Sequence, residues 1–179
     1  MAHFTLLRTD LMEAPSEWLL RHARHIKPSG HVLDIAAGSG RNARWLAQQG
    51  FKVEAVDRDQ QALERMQGIE NIHVKVADIE NADWPYPDRK FDAIVVCRYL
   101  HRPLFSVLQQ SLAPEGVLIY ETFMQGHEAY GKPSNPDFLL RENELLTVFQ
   151  GELEVIAFEQ GFFETPKPAL LQRICAKNL

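Results

Sequence analysis

The residues best suited to chemistry in this chain gather in one stretch, His31 to Ala43, which reads HVLDIAAGSGRNA. Asp34 stands near the end of a short apolar run, and Gly38 and Gly40 follow in a turn of small residues. Neither glycine carries a Cβ, so the backbone can bend sharply and a ligand can come close. A helix opening near Arg41 would aim its free N–H groups and positive dipole end at that ligand, favouring a negatively charged group by about 0.3 to 2 kcal/mol. The stretch reads as a nucleotide cradle. Further on, Asp57 closes a second apolar run, and a carboxylate there can accept from both hydroxyls of a ribose. Gly38-x-Gly40-x-x-Ala43, with Asp57 19 residues beyond Gly38, fits the dinucleotide fingerprint of an NAD-linked oxidoreductase. A second reading of the same glycines starts earlier, at Asp34, and the rest of the chain arbitrates.

The elements that must hold these residues are legible from punctuation and periodicity. Ser16 after Pro15 is a helix N-cap, and Trp18, Leu19, Ala23 and Ile26 give an apolar stripe ending before Pro28-Ser29-Gly30. After the glycine turn, Ala43–Gln49 reads as a helix stopped by Gly50, Lys52–Val56 as a strand, Gln60–Met66 as a helix stopped by Gly68, and Ile72–Val76 as a third strand. Strand and helix alternate, as a parallel sheet requires. Ile72, Val74 and Val76 alternate with His73 and Lys75, which predicts a sheet edge. The runs Asp92–Cys97 and Val117–Tyr120 are almost continuously apolar, which predicts interior strands and puts strands one, four and five at the centre. Between them, Pro103–Leu112 reads as a helix closed by a turn at Pro114-Glu115-Gly116.

Residues 123–140, FMQGHEAYGKPSNPDFLL, break the rhythm with two glycines, two prolines and no clear period. An aperiodic segment of this length in a compact domain is functional more often than not, and it reads as a lid over a substrate. A helix over Glu142–Phe149 then leads to two strands, Leu153–Glu159 and Ala169–Lys177, joined closely enough to run antiparallel.

Composition narrows the function classes. The 179 residues suit one domain, 1–179, with residues 1–30 as an N-terminal helical segment, and leave no room for the second domain of a dehydrogenase. The formal net charge of −5 and the lack of a Lys/Arg cluster argue against nucleic acid or an anionic membrane and favour a small-molecule substrate. The opening MAHFTLLRTDLMEAP has neither the basic start nor the long apolar run of a leader or a membrane span, so a cytoplasmic protein is expected. Cys97 and Cys175 sit in apolar surroundings without metal or redox spacing, and are expected as reduced, buried thiols. No metal site is expected. Oligomeric state is not legible.

Leu33-Asp-Ile-Ala-Ala-Gly-Ser-Gly-Arg-Asn42, then Leu46-Ala-x-x-Gly50-x-x-Val53 and Ala55-Val-Asp57, resemble the N-terminal half of the tellurite-resistance (TehB-type) branch of class I S-adenosylmethionine (SAM) methyltransferases. Ala77-Asp78-Ile79, Phe91-Asp92 and Leu112-x-Pro114-x-Gly116 resemble the later motifs of that class, so the likeness spans residues 33 to 120. It implies an α/β, Rossmann-like, doubly wound sheet of seven strands, mostly parallel with an antiparallel last strand, and SAM as cofactor. Two positions depart from the pattern: Ala36 replaces the usual first glycine of the turn, and Glu115 replaces a glycine after Pro114. The segment from Gln125 to Leu140 does not match the tellurite-resistance proteins.

The resemblance implies a cofactor set of Asp34, Ala36, Gly38, Gly40, Asn42, Asp57, Arg58, Asp78, Ile79 and Cys97. Asp34 would serve the methionyl end through water, Asp57 would clamp the ribose, and Asp78 with Ile79 would read the adenine edge. Arg41 is a further ligand candidate, and Trp84 with Pro85 are candidates to cover the adenine face. Methyl transfer is an in-line displacement in which positioning alone can supply about 7 to 11 kcal/mol of the barrier, so a base is optional. One is expected where ligands bind open α/β sheets, after strand four. His101, with an ordinary pKa of about 6.5, is the first candidate and Tyr99 the second. Arg98, Arg102, Glu121, His127 and Tyr130 are the expected substrate contacts, with Asn135 a further guess in the lid. The function expected is methyl transfer to a small molecule or oxyanion, with an NAD-linked oxidoreductase and a noncatalytic SAM-binding or partner-binding module as rivals.

Overall fold

The computed structural model describes residues 13–179. The expectation about leader and membrane span falls mainly on residues 1–12, outside the described residues. Among the described residues, no helix is long and apolar enough to cross a membrane.

Seven strands form one sheet: β1 (His31–Ile35), β2 (Lys52–Asp57), β3 (Ile72–Val76), β4 (Phe91–Cys97), β5 (Leu112–Phe123), β6 (Glu154–Phe163) and β7 (Ala169–Lys177). Their order is β3-β2-β1-β4-β5-β7-β6. Every pair from β3 to β5 is parallel, whereas β7 runs antiparallel to both β5 and β6. The sheet is thus mostly parallel, with β7 reversed, and β1, β4 and β5 lie at its centre.

Side-chain alternation along these strands feeds two cores. Val32, Ala93, Val95, Val117 and Ile119 point to one face, where they meet Trp18 and Leu19 of α1 (Glu17–His22), Leu46 of α2 (Arg41–Gln48) and Leu63 of α3 (Gln60–Glu64). Leu33, Ile35, Ile94, Val96, Leu118 and Tyr120 point to the other, against Phe105 and Leu108 of α4 (Phe105–Gln110) and Leu145 and Phe149 of α5 (Glu144–Phe149). Each fully buried Leu, Ile or Val contributes about 1.5 to 3 kcal/mol, and burial on both faces is what the apolar runs of β4 and β5 encode. The same alternation has a functional result. Asp34, Cys97 and Glu121, at the carboxyl ends of β1, β4 and β5, share a face with α1 and α2 by strand parity.

Two local expectations change. Pro114-Glu115-Gly116 is a bulge inside β5 rather than a turn before it: the pairing jumps from Phe91↔Leu112 to Ala93↔Val117. Glu115 takes a left-handed φ of 66°, and its N–H donates to the Asn178 carbonyl at 2.7 Å. The helix expected from Pro103 is a 3₁₀ turn over Arg102–Leu104 followed by the short α4, because Leu112 already belongs to the sheet. Both cysteines are free; Cys175 is buried and Cys97 half-buried.

Residues 124–140 are anchored at both ends. Met124 bridges Leu140, and two 3₁₀ turns, His127–Ala129 and Pro136–Phe138, fill the interval.

Candidate functional site

The turn between β1 and α2 is held by backbone conformation. Ala36, Gly38 and Gly40 all have positive φ, at 52°, 55° and 87°. Gly40 admits nothing larger, since a Cβ there would lie 2.0 Å from the sulfur of buried Met66. At Gly38 a Cβ would meet nothing within 4 Å, so this residue faces open space. Ala36 adopts the left-handed geometry of the glycine it replaces, at a cost of about 1 to 2 kcal/mol.

Asp57 is fixed by two backbone donors: Gly38 N–H gives to Oδ2 at 2.8 Å and Asp59 N–H to Oδ1 at 2.9 Å. Each oxygen keeps a lone pair for a further donor. Asp57, Arg58, Asp78, Ile79, Ala36 and Tyr99 line one cavity of about 220 Å³ at the carboxyl ends of the parallel strands. Six residues expected at the site therefore meet in one place. Asp78 is oriented as Asp57 is, by local donors: Glu80 N–H at 3.0 Å, Asn81 N–H at 3.2 Å and the Asn81 amide at 3.0 Å. The Asn81 amide and these backbone donors hold its carboxyl below the usual range. Tyr99, expected as a base candidate, is instead a wall of this cavity. Its hydroxyl donates to Glu80 Oε1 at 2.9 Å, and burial with the Glu80 carboxylate raises its pKa.

Asp34 lines neither of the cavities described here. It lies beneath the turn, 2% exposed, and one carboxylate oxygen has no partner. Burial pushes its pKa up to about 7, against the pull of the nearby Arg41 charge and the Ala43 N–H. Gly40, the N-cap of α2, has no side chain to offer, so Asp34 stands in as acceptor for the helix's first turn. Asn42 and Cys97 also lie outside both cavity walls. The side-chain Oδ1 of Asn42 accepts from Ser16 N–H at 2.9 Å, which ties the segment before α1 to α2. Burial and the Glu121 carboxylate push the Cys97 thiol up to about 12, so it stays protonated.

A second cavity, of about 600 Å³, opens on the other side of the turn. Arg98 and Tyr99, neighbours in sequence, line one cavity each. Arg98, Glu121, His127 and Tyr130, four of the five expected substrate contacts, lie on its wall. Arg98 pairs with Glu13 at 2.5 Å. Glu121 is 6% exposed and sits directly across from Arg173 in the β5–β7 register; it accepts from Arg173 Nε at 2.5 Å and from Ser16 Oγ at 2.9 Å. His127 stacks on Phe123 with ring centroids 4.1 Å apart. Its Nε2 meets the Lys132 carbonyl at 3.1 Å and its Nδ1 accepts from Leu170 N–H at 3.3 Å, a network that assigns the neutral Nε2–H tautomer.

Other expectations move. Arg102 is a strut, not a substrate contact. It forms a bidentate pair with Glu144 at 2.6 and 3.0 Å and donates to the carbonyls of Asp137 and Leu139, leaving it no free fork. His101 lines neither cavity. Asn135 caps the turn at Pro136. Trp84 packs edge-on to Tyr86, and the Pro85 carbonyl takes Lys75, so neither covers the cavity. Sequence reading missed Glu80, Lys132, Lys167 and Arg173. Only Arg173 carried a signal, as a lone cation inside the apolar run ALLQRICAK.

Comparison with known proteins bears on this arrangement. Residues 32–116, which include the turn, Asp57 and Asp78, match the methyltransferase-domain family. A 90-residue stretch is 36% identical to the sarcosine/dimethylglycine N-methyltransferase of Halorhodospira halochloris, covering 45% of this chain and 32% of that enzyme. The chain spans less than half the length of the curated relatives it matches. The whole fold resembles TehB from Haemophilus influenzae, with a TM-score of 0.75 at 19% identity over 90% of this chain and 61% of TehB. It also resembles a TehB-like SAM-dependent methyltransferase from Corynebacterium glutamicum, with a TM-score of 0.67 at 18% identity over 93% and 89% of the two chains. The chain thus shares its fold with SAM-dependent methyltransferases, and the segment similar to a methyltransferase domain includes the glycine turn.

Proposed function

We propose that the protein transfers a methyl group from SAM to a small-molecule or oxyanion acceptor. The observation that carries this reading is the pair of cavities flanking one turn, a smaller one built round an oriented ribose-type carboxylate and a larger charged one beside it. SAM is a zwitterion joined through a sulfonium to adenosine, and the residues present suit each part. Asp57 offers free lone pairs to the ribose hydroxyls, and Asp78 with Ile79 stands further along the same wall for the adenine. Asp34 supplies a buried carboxylate with one unpartnered oxygen for the ammonium, through water. Arg41, whose guanidinium donates to the Ala14 carbonyl and Cys97 sulfur and has no carboxylate partner among the described residues, suits the carboxylate.

When bound, SAM supplies a methyl group on a positively charged sulfur; a lone pair of the acceptor takes it as the carbon–sulfur bond breaks, leaving a neutral thioether. The chain's part is to hold the acceptor in line and exclude water. Two acceptor-side groups are already engaged: Glu121 is committed to Arg173, and both His127 nitrogens have partners. A proton released by the acceptor therefore passes to solvent or to the exposed carboxylate of Glu17.

Calorimetric titration with SAM, S-adenosylhomocysteine and NADH tests the reading. Binding of the first two and not of NADH is expected, followed by release of S-adenosylhomocysteine when an acceptor panel is added. Binding of NADH alone, or of none of the three, would overturn it.

A further inference from the structure

The larger cavity carries an imbalance of charge that its own ion pairs do not absorb. Of its cations, Arg98 is matched by Glu13 and Arg173 by Glu121. Lys132, from the segment after β5, and Lys167, from the β6–β7 connection, face the same cavity. Among the described residues neither lies within 4 Å of a carboxylate; Lys132 Nζ donates only to Ser134 Oγ, at 3.1 Å. Glu17, at the exposed start of α1, is the remaining acid on the wall. A chain with a net charge of −5 thus lines one opening with two lysines that have no carboxylate within 4 Å among the described residues.

The wall between them is apolar and aromatic. Phe123 and Leu171 contribute side chains, and Tyr130 extends the surface by packing on Phe162 at 5.2 Å. The volume of about 600 Å³ falls in the range that holds an organic ligand. An inorganic oxyanion of about four heavy atoms would leave most of it to water, which needs only about 30 Å³ per molecule. Part of the space, beside Arg41, belongs to the methionyl end of the cofactor; the part beside the lysines does not.

We propose that the acceptor is a small organic acid, its apolar body on Phe123, Tyr130 and Leu171 and its carboxylate or phosphate on Lys132 and Lys167. This rests on the larger cavity being the acceptor site of a SAM-dependent enzyme. Two ammonium groups on separate segments bracket one anionic head, and the aromatic wall selects against bare ions.

Ligand-observed NMR on the S-adenosylhomocysteine-loaded protein tests this with four matched probes: phenylacetate, phenyl phosphate, phenylacetamide and phenethylamine. One or both anions should bind about ten-fold more tightly than the amide and the amine. The double variant Lys132→Ala/Lys167→Ala should lose that preference by about ten-fold, while Lys132→Arg/Lys167→Arg keeps it. Equal binding of amide or amine, or anion binding that survives the double alanine variant, would overturn the proposal. S-adenosylhomocysteine affinity, measured on every variant, separates the two readings. Absence of anion selectivity in the unaltered protein with that affinity intact refutes the organic acid alone, whereas no S-adenosylhomocysteine binding in the unaltered protein refutes the cofactor assignment first.

Discussion

The two halves of the site are built from different materials. Around the smaller cavity the arrangement rests on backbone. Special φ values at the alternate residues Ala36, Gly38 and Gly40 shape the turn, and peptide N–H groups aim Asp57 and Asp78. Around the larger cavity it rests on side chains that meet across long stretches of chain. Glu121, Arg173 and Glu159 form one row over β5, β7 and β6, with both carboxylates register partners of the arginine. His127 reaches 43 residues to Leu170. A backbone site tolerates little change in residue type but needs few partners. A side-chain site tolerates local change but fails when a distant partner is removed.

That contrast can be broken at several points. The largest effect is expected for Arg173→Met, which strands Glu121 as a buried, unpaired charge and should cost about 3 to 5 kcal/mol by chemical denaturation. A cost below about 1 kcal/mol would mean that the row is ornamental. Gly40→Ala should follow, at about 2 to 4 kcal/mol, since the new methyl drives into Met66 from a left-handed backbone; if Met66 simply swings aside, the loss will be small. Asp57→Ala should leave the fold near its original stability and weaken SAM binding about 10- to 100-fold, by loss of charge-assisted hydrogen bonds of about 1.5 to 3 kcal/mol. Unchanged affinity would remove Asp57 from the ribose clamp.

Asp34 gives a pH test. Its pKa of about 7 means that the carboxyl is mostly neutral below neutrality and ionised above it. An ammonium placed near it favours the ionised form, so SAM should bind more tightly as pH rises from 6 to 8, with proton release on binding. Asp34→Asn should flatten that profile. A flat profile in the unaltered protein would separate Asp34 from the methionyl end. The smallest effect is expected for Ala36→Gly, which relieves a left-handed alanine and should stabilise the fold by at most about 1 kcal/mol.

The same contrast explains what could be read in advance. Alternation and glycine punctuation exposed the sheet order around β1, β4 and β5 and the caps at Ser16 and Gly50, while the family resemblance pointed to the residues that share the smaller cavity. These are local facts, coded over a few positions. The bulge at Glu115 escaped because Pro-Glu-Gly spells a turn unless the register with β4 is known. His101 and Arg102 looked like site residues because they follow β4, and only the folded loop shows Arg102 spent on Glu144. Lys132 and Lys167 were invisible as a pair, since nothing in a sequence says that the segment after β5 and the β6–β7 connection face one opening.

The charge row in the sheet has a consequence for assembly. β6 precedes β7 in the chain, yet β7 must lie between β6 and β5 in the finished sheet. Were β6 to settle directly beside β5, Glu159 and Glu121 would be brought together with no cation between them, and opposed like charges disfavour a strand pair. Arg173 removes that penalty only when it takes the middle position. The row therefore acts as an addressing code, steering a late strand into an interior slot that its predecessor is electrostatically discouraged from filling.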